Sequence, residues 1–497
     1  MGRYALIQTL FVFLISDIAC VDSMSLAFSE ETDTAAIAKT STPMGIISLA
    51  DALALALERN PRLAAFSWDI RAAEARQIQV QLRPNPELTV EIEDFRLGRG
   101  TGIKTSRWTA SGLGIQREQE SESGARSGFS EAQFTISLSQ IIELGGKRAK
   151  RMALAASDRD VAAWDYEIAR ADLFKEVAQT FVEVLVAQQR VALDEELVQL
   201  AQQVYQTVSA RVDAGRVSPV ETMKAETALS VARMQADLSR RGLDSLRVRL
   251  AALWGDKEAH FERVEGDLDT VRDIPSLDEL VKRTTKNPDL ARWRAELEKR
   301  RTAISVEKAN AVPDLSISAG FRMSGAPDSD AEGFGYGSDG LSRSRASSRS
   351  NGNWDNSAVL EFSIPLPLFN RNQGSIKEAA HLMKKAGEEA RATDVQIHAT
   401  LSESYYRLAA AFAAITSLNE NILPKTTQTF ESINQAYNEG KFGYLDVLDA
   451  QRTLFDARQQ YLDALAVYHN SVAEIERAIG EPLWDMEDAM PCIEEEK

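Results

Sequence analysis

Cysteine and histidine are scarce in this chain. Its 497 residues hold two cysteines, Cys20 and Cys492, and four histidines, His260, His381, His398 and His469, far apart in sequence. No disulfide framework or zinc motif can be written from such a set, and the histidines read as surface or core residues of helices. Basic charge is also short: 57 lysines and arginines stand against 74 aspartates and glutamates, a formal net charge of −17. An acidic chain carries the wrong field for phosphate backbones, which disfavours nucleic acid as a partner. Aromatic residues make up only 7%. Alanine, leucine, glutamine, glutamate and arginine fill long stretches instead, the composition of extended helices. No carboxylate is set in a motif with a histidine or cysteine, and the Gly-rich loops lack the context of a phosphate cradle. No enzyme and no cofactor is expected.

Long apolar runs are missing too. The one at the N-terminus, Tyr4 to Ile15 behind Arg3, is too short to span a bilayer but suits the apolar region of a secretory signal. Ser25 and Ala27 place cleavage after residue 27, giving a signal peptide over 1–27. Cys20 offers a rival reading as a lipid-modified cysteine, against which Asp17 stands where an apolar residue is expected. Residues 28–46 are largely polar and read as a mobile lead-in.

What the chain does have is a duplication. Residues 205–255 and 430–480 align without a gap at an offset of 225, pairing Gly215 with Gly440, Leu229 with Leu454, Arg233 with Arg458 and Gly255 with Gly480. Asn60-Pro61 recurs as Asn287-Pro288 and Pro86-Glu87-Leu88 as Pro313-Asp314-Leu315, both at 227. Copies this long argue for a pseudosymmetric body over a solenoid of small modules. We read 47–255 as the first repeat, 256–275 as a linker, 276–480 as the second repeat and 481–497 as a tail.

Each copy switches its hydrophobic period from helical to two and back. Leu88, Val90 and Ile92 alternate with polar residues in a strand over about 86–97, and Phe134, Ile136 and Leu138 do so over about 131–142. The second copy repeats this over about 313–323 and 357–364, and a long Gly/Ser-rich loop separates the strands of each pair. Such strands have the length a tilted strand needs to cross a membrane. Two very long helices follow, Lys147 to Asp213 and about Ser375 to Asn438, each reaching ~100 Å at ~1.5 Å per residue. Gly215 and Gly440 end them at positions suited to left-handed caps. Return helices span about Pro219–Leu253 and Tyr444–Ile479.

Two strands per copy cannot close a barrel, and edges exposed to lipid are forbidden, so several chains must share one. A trimer is the simplest closure. Val90, Ile136, Ile317 and Leu360 then face lipid and tolerate no charge near mid-membrane.

Three motifs carry a family resemblance: Ile142-Glu143-Leu144-Gly145-Gly146-Lys147-Arg148, the run Ile364-Pro365-Leu366-Pro367-Leu368-Phe369 continuing through Asn370-Arg371-Asn372-Gln373-Gly374, and Gly440 to Arg452 (GKFGYLDVLDAQR). They resemble those of the TolC family of outer-membrane efflux proteins, in particular its CzcC-type heavy-metal branch. The resemblance spans about Ile47 to Gly480. It implies a mostly α channel-tunnel with a small β part, a homotrimer with a twelve-stranded barrel in the outer membrane and a long α-helical barrel in the periplasm. The partners it implies are a periplasmic adaptor, an inner-membrane pump of the resistance-nodulation-division class, and outer-membrane lipid. The cargo it implies is divalent heavy-metal cations. Drugs, solvents or a secreted polypeptide through the same channel form the alternative, and a soluble periplasmic coiled-coil adaptor a more distant one.

Gly145, Gly146, Pro365 and Pro367 fit as strand-to-helix corners, with Lys147 and Arg148 near the membrane-water boundary. Asp446 and Asp449 share one helix face, and the resemblance implies that they line the periplasmic entrance as rings of carboxylates. Helix capping is the competing reading. In the first copy Glu221 and Lys224 hold the aligned positions, so the copies differ at their tips. Tyr444 is a candidate either for an adaptor contact or for packing within the chain. Arg343, Arg345 and Arg349 read as a solvated loop, with lipid headgroups as the alternative contact.

Overall fold

The computed structural model describes residues 45–93, 106–111, 114–119, 133–325, 332–337, 340–345 and 354–484. The signal peptide with Cys20, the lead-in up to residue 44, Arg349 and the tail from residue 485 lie outside the described residues.

The first copy runs β1 (Gly45–Ser48), α1 (Leu49–Arg59), α2 (Pro61–Gln81), β2 (Glu87–Glu93), β3 (Ser106–Ser111), β4 (Gly114–Gln119), β5 (Gln133–Ile142), α3 (Lys147–Asp213) and α4 (Pro219–Ala252). Next come β6 (Phe261–Glu265), α5 (Leu277–Arg283), α6 (Pro288–Asn310), β7 (Leu315–Gly325), β8 (Glu332–Gly337), β9 (Gly340–Arg345), β10 (Trp354–Ser363), α7 (Gln373–Ser417), α8 (Leu423–Asn438) and α9 (Tyr444–Ile479).

Three expectations are corrected. Gly45 and Ile46, read as lead-in, and Phe261–Glu265, read as linker, pair in parallel as β1 and β6. Ile47, Phe261 and Val264 are buried, so core contacts order runs too short to show a period. Within the long inter-strand loops, β3 pairs with β4 and β8 with β9 as antiparallel hairpins. The second long helix is not continuous: a π-helical segment, Leu418–Ile422, separates α7 from α8. Pro424 at the start of α8 explains it. Proline has no N–H to donate, and its ring clashes with the carbonyl four residues back, so the turn widens. No such residue interrupts the 67-residue α3.

The described chain falls into two compact units, one of residues up to 75, 156–301 and from 381, the other of 76–155 and 302–380. In the first, one apolar core gathers α1, β1 and β6 with α3, α4, α7 and α9 through Phe181, Val184, Leu250, Leu401, Leu465 and Ile475. The duplication is visible here in the bonds of two aligned asparagines. Asn60 Nδ2 donates to Leu253 O at 2.7 Å and Asn60 Oδ1 accepts from Leu63 N at 2.9 Å. Asn287 Nδ2 donates to Ala478 O at 2.7 Å and Asn287 Oδ1 accepts from Asp289 N at 2.7 Å. Each asparagine thus caps the helix that its proline begins and holds the end of its copy's return helix. Gly480 (φ 77°) closes that helix where a Cβ would meet Lys286 O at 2.7 Å, so no other residue fits.

The second unit is built on one antiparallel sheet of order β10-β7-β5-β2. The central pairing joins the two copies, with Ile136 opposite Phe321 and Leu138 opposite Ala319. Strands β2 and β10 are its edges.

Candidate functional site

Two surfaces stand out, one in each unit. The first is a face of the sheet. Register places Val90, Ile136, Phe321 and Ala358 in one row and Leu88, Leu138, Ala319 and Leu360 in the next. Leu88, Val90, Ile136 and Leu360 are 53–67% exposed, although a soluble sheet would bury such a face. Gln140 interrupts these rows, and its amide donates to Pro84 O and Ile141 O at 3.0 Å. The other face carries Thr89, Glu91, Thr135, Ser137, Ser318 and Arg322, with Arg322 Nε donating to Thr135 Oγ1 at 3.2 Å.

The corners between this sheet and the helices need their glycines. Gly145 and Gly146 hold φ of 69° and 68°, and a Cβ on Gly145 would meet Val312 Cβ at 2.9 Å. Leu144 N donates to Asp314 Oδ1 at 3.1 Å. Lys147, expected at a membrane-water boundary, is instead buried, its Nζ 2.7 Å from Asp314 Oδ2. The carboxylate beside the turn captured the cation that sequence spacing had left free. Pro365 and Pro367 follow the last paired residue of β10, where they cannot extend the ladder.

The second surface is the pair of helix-to-helix turns. Gly215 (φ 66°) ends α3 and Gly440 (φ 81°) ends α8. Arg216 N donates to Arg211 O at 2.9 Å and Gly215 N to Val212 O at 2.8 Å. Lys441 N to Ala436 O and Gly440 N to Tyr437 O, both 2.9 Å, repeat the pattern. Both are Schellman caps, which free an αL glycine to reverse the chain. Val204, Val208, Ala225, Tyr437, Tyr444 and Val447 pack between the arms. Tyr444 therefore belongs to the chain's own core, since an aromatic ring at that helix start is covered from both arms.

Asp446 and Asp449 are exposed. Asp446 Oδ2 accepts from Gly443 N at 2.9 Å, so this carboxylate caps α9. The Asp449 carboxylate has no partner among the described residues. Across the turns, Glu221 Oε2, Thr222 Oγ1 and Tyr437 Oη are buried with no hydrogen-bond partner in the described chain. Burial pushes the Tyr437 and Tyr444 phenols up, and the charge of Glu221 adds to it in both. Arg211 and Tyr437 escaped the sequence reading. Arg211 Nη2 donates to Tyr437 O at 2.7 Å and Asn438 O at 3.0 Å, tying α3 to the end of α8. A base in the last turn of α3 was the available signal.

Among the described residues no group of three or more His, Cys, Asp or Glu is placed to hold a metal ion, and no helix is long and apolar enough to cross a membrane. An exposed apolar sheet face, a polar face behind it and duplicated long helices with paired turns define a membrane channel-tunnel. A sequence model of the outer membrane efflux protein family matches residues 52–256 and 282–481, one stretch in each copy. The chain belongs to that family. It is 31% identical over 436 residues to the cobalt-zinc-cadmium resistance protein CzcC of Cupriavidus metallidurans, covering 88% of this chain and 90% of that one. To the nickel-cobalt-cadmium resistance protein NccC of Alcaligenes xylosoxydans xylosoxydans it is 25% identical, with 66% and 69% covered. Among solved structures, CusC superposes with a TM-score of 0.60 at 16% identity over 90% of this chain and 96% of that one. VceC of Vibrio cholerae gives 0.61 at 15% over 88% and 97%. The fold is that of the TolC-like channel-tunnels.

Proposed function

We propose that this efflux channel is a passive outer-membrane exit duct for divalent heavy-metal cations, working as a homotrimer with a periplasmic adaptor and an inner-membrane pump of the resistance-nodulation-division class. The observation that carries the cargo is the 31% identity, over 88% of this chain, to a protein named for cobalt, zinc and cadmium resistance. The sheet supports the assembly. Its apolar face suits lipid, and its open edges, β2 and β10, require a neighbouring chain inside a bilayer. Three copies would close a barrel of twelve strands, within the range of known barrels.

In this reading Asp446 and Asp449 ring the periplasmic entrance. Three chains then supply two tiers of carboxylate, which attract cations without holding them, as conduction requires. Glu221 is the half-buried acid of the first-copy tip, with its Oε2 buried. The repeat boundaries 47–255 and 276–480 correspond to the two pseudo-equivalent wall segments that each protomer would contribute.

The test is metal tolerance of a strain lacking this chain, scored against zinc, cobalt, cadmium, nickel and copper beside a bile salt and two hydrophobic drugs. Sensitivity to metals alone, restored by the wild-type gene, is expected. Sensitivity to drugs alone would leave the duct standing and overturn the cargo.

A further inference from the structure

The apolar face of the sheet does not stop where the strands stop. After Leu360 and Phe362 on β10, the apolar residues continue at the same spacing as Ile364, Leu366 and Leu368, then Phe369. These are 49%, 76%, 66% and 92% exposed. Four large apolar side chains presented to water within six residues far exceed what a folded surface carries singly.

The segment is held in that presentation. Leu368 N donates to Leu366 O at 2.8 Å. Gln373 Nε2 donates to Phe369 O at 3.2 Å, and Gln373 Oε1 accepts from Arg371 N at 2.7 Å. Asn372, the one non-glycine residue of positive φ (58°) among the described residues, donates its amide to Glu307 O at 2.8 Å and Glu307 Oε2 at 2.6 Å. A turn fixed at this many points does not expose phenylalanine by default; the side chains are aimed at something.

A neighbouring strand is a poor occupant. Pro365 and Pro367 have no N–H, and the Leu368 N–H is already spent on Leu366, so little remains for a ladder. A lipid surface fits better. Leucine and phenylalanine partition into the boundary between headgroups and acyl chains. Arg371 supplies the polar counterpart: its Nε donates to Pro367 O at 3.3 Å, and its terminal guanidinium nitrogens have no partner among the described residues. They form a fork suited to a phosphate.

We infer that Ile364–Phe369 with Arg371 is a membrane-surface anchor, seated in the periplasmic leaflet of the outer membrane with the guanidinium on a lipid phosphate. It rests on the proposed barrel: if Leu360 and Phe362 face acyl chains, the continuation beyond the last paired residue meets the headgroup boundary. The second copy's corner would thereby fix the height of the channel in the bilayer. The first copy's corner is shorter and less exposed: Ile142 and Leu144 are 42% and 37% exposed before Gly145 and Gly146 turn the chain into α3, where Lys147 is buried.

The experiment places a nitroxide at position 369 (Phe369→Cys) in a Cys492→Ser background, whose own label uptake sets the blank. The full chain is reconstituted in phosphatidylcholine vesicles with a fraction of phosphatidylglycerol. Collision rates with oxygen, which concentrates in lipid, and with a nickel chelate, which stays in water, are compared with labels at Leu360→Cys and Glu388→Cys. The expected oxygen-to-nickel ratio at 369 lies between the high value at 360 and the low value at 388, and Arg371→Gln moves it toward the aqueous value. A ratio at 369 equal to that at 388 would overturn the anchor. An immobile label hidden from both reagents would also overturn it and assign the segment to a second copy. A low ratio at 360 itself would remove the barrel reading, a failure separate from the anchor's own.

Discussion

Arg211 and Tyr437 form the bolt between the two helical arms: the guanidinium donates to the Tyr437 carbonyl at 2.7 Å while lying 4.2 Å from the centre of the same residue's ring. One side chain thus satisfies the last carbonyls of α8 and covers a buried aromatic. Arg211→Ala should remove a charge-assisted hydrogen-bond pair worth about 1.5–3 kcal/mol before solvent screening. Faster amide exchange at Tyr437 to Gly440, with α3 near Phe181 unchanged, is the expected result. Unchanged exchange at the turn would show that the bolt carries no load.

The two tip carboxylates separate by role. Asp446 caps α9 through Gly443 N, whereas Asp449 does not. Both Asp446→Ala and Asp449→Ala should lower the cation preference of the channel in planar bilayers, and only Asp446→Ala should fray the start of α9, by about 0.5–2 kcal/mol. Equal loss of helix protection in the two variants would contradict the capping assignment.

The corner glycines differ in what surrounds them. At Gly145 an added Cβ meets Val312 at 2.9 Å, and at Gly146 it meets nothing within 4 Å, although both residues are left-handed. Alanine at either position should cost about 1–2 kcal/mol in backbone conformation. Gly145→Ala adds a clash, so its thermal transition should fall clearly below that of Gly146→Ala. Coincident transitions would mean that Val312 yields freely.

Glu476 makes stability depend on pH. Burial raises its carboxyl to about 7, against the opposing pull of the Leu483 N–H and the Arg283 charge. The folded form therefore keeps a proton that the unfolded chain has lost, so this contribution is present below about pH 4.5, the ordinary glutamate value, and is lost as pH rises through about 7. Glu476→Gln should flatten the fall in chemical-denaturation midpoint between pH 5 and pH 8 relative to wild type. A parallel pair of pH profiles would rule Glu476 out as the titrating group.

Ile136 lies in the exposed apolar row of the sheet, opposite Val90 and Phe321. If that face meets lipid, Ile136→Arg should cost about 2–4 kcal/mol and block barrel assembly, while Thr89→Arg on the polar face is tolerated. Heat-resistant oligomer on a gel reads the result. Normal assembly of Ile136→Arg would reverse the assigned faces.

Much of this protein is determined by local rules, and those parts are legible in the sequence. The bounds of α3 and α9, the four sheet strands and both αL caps follow from hydrophobic period, proline and glycine, which act within a few residues. The duplication is legible for the same reason: Asn60-Pro61 and Asn287-Pro288 recur because each asparagine caps its own helix and donates to the end of its copy's return helix. Tertiary structure decided what depends on distant partners. It paired β1 with β6 across the chain, joined β5 to β7 between copies, drew Lys147 inward to Asp314 and set Arg211 against Tyr437. The π-helical break before Pro424 lies between: the proline is plain in the sequence, but whether its helix stops, kinks or widens depends on the packing around it. Side chains many residues apart meet only once the fold exists, and no period in the sequence encodes which of them will be neighbours.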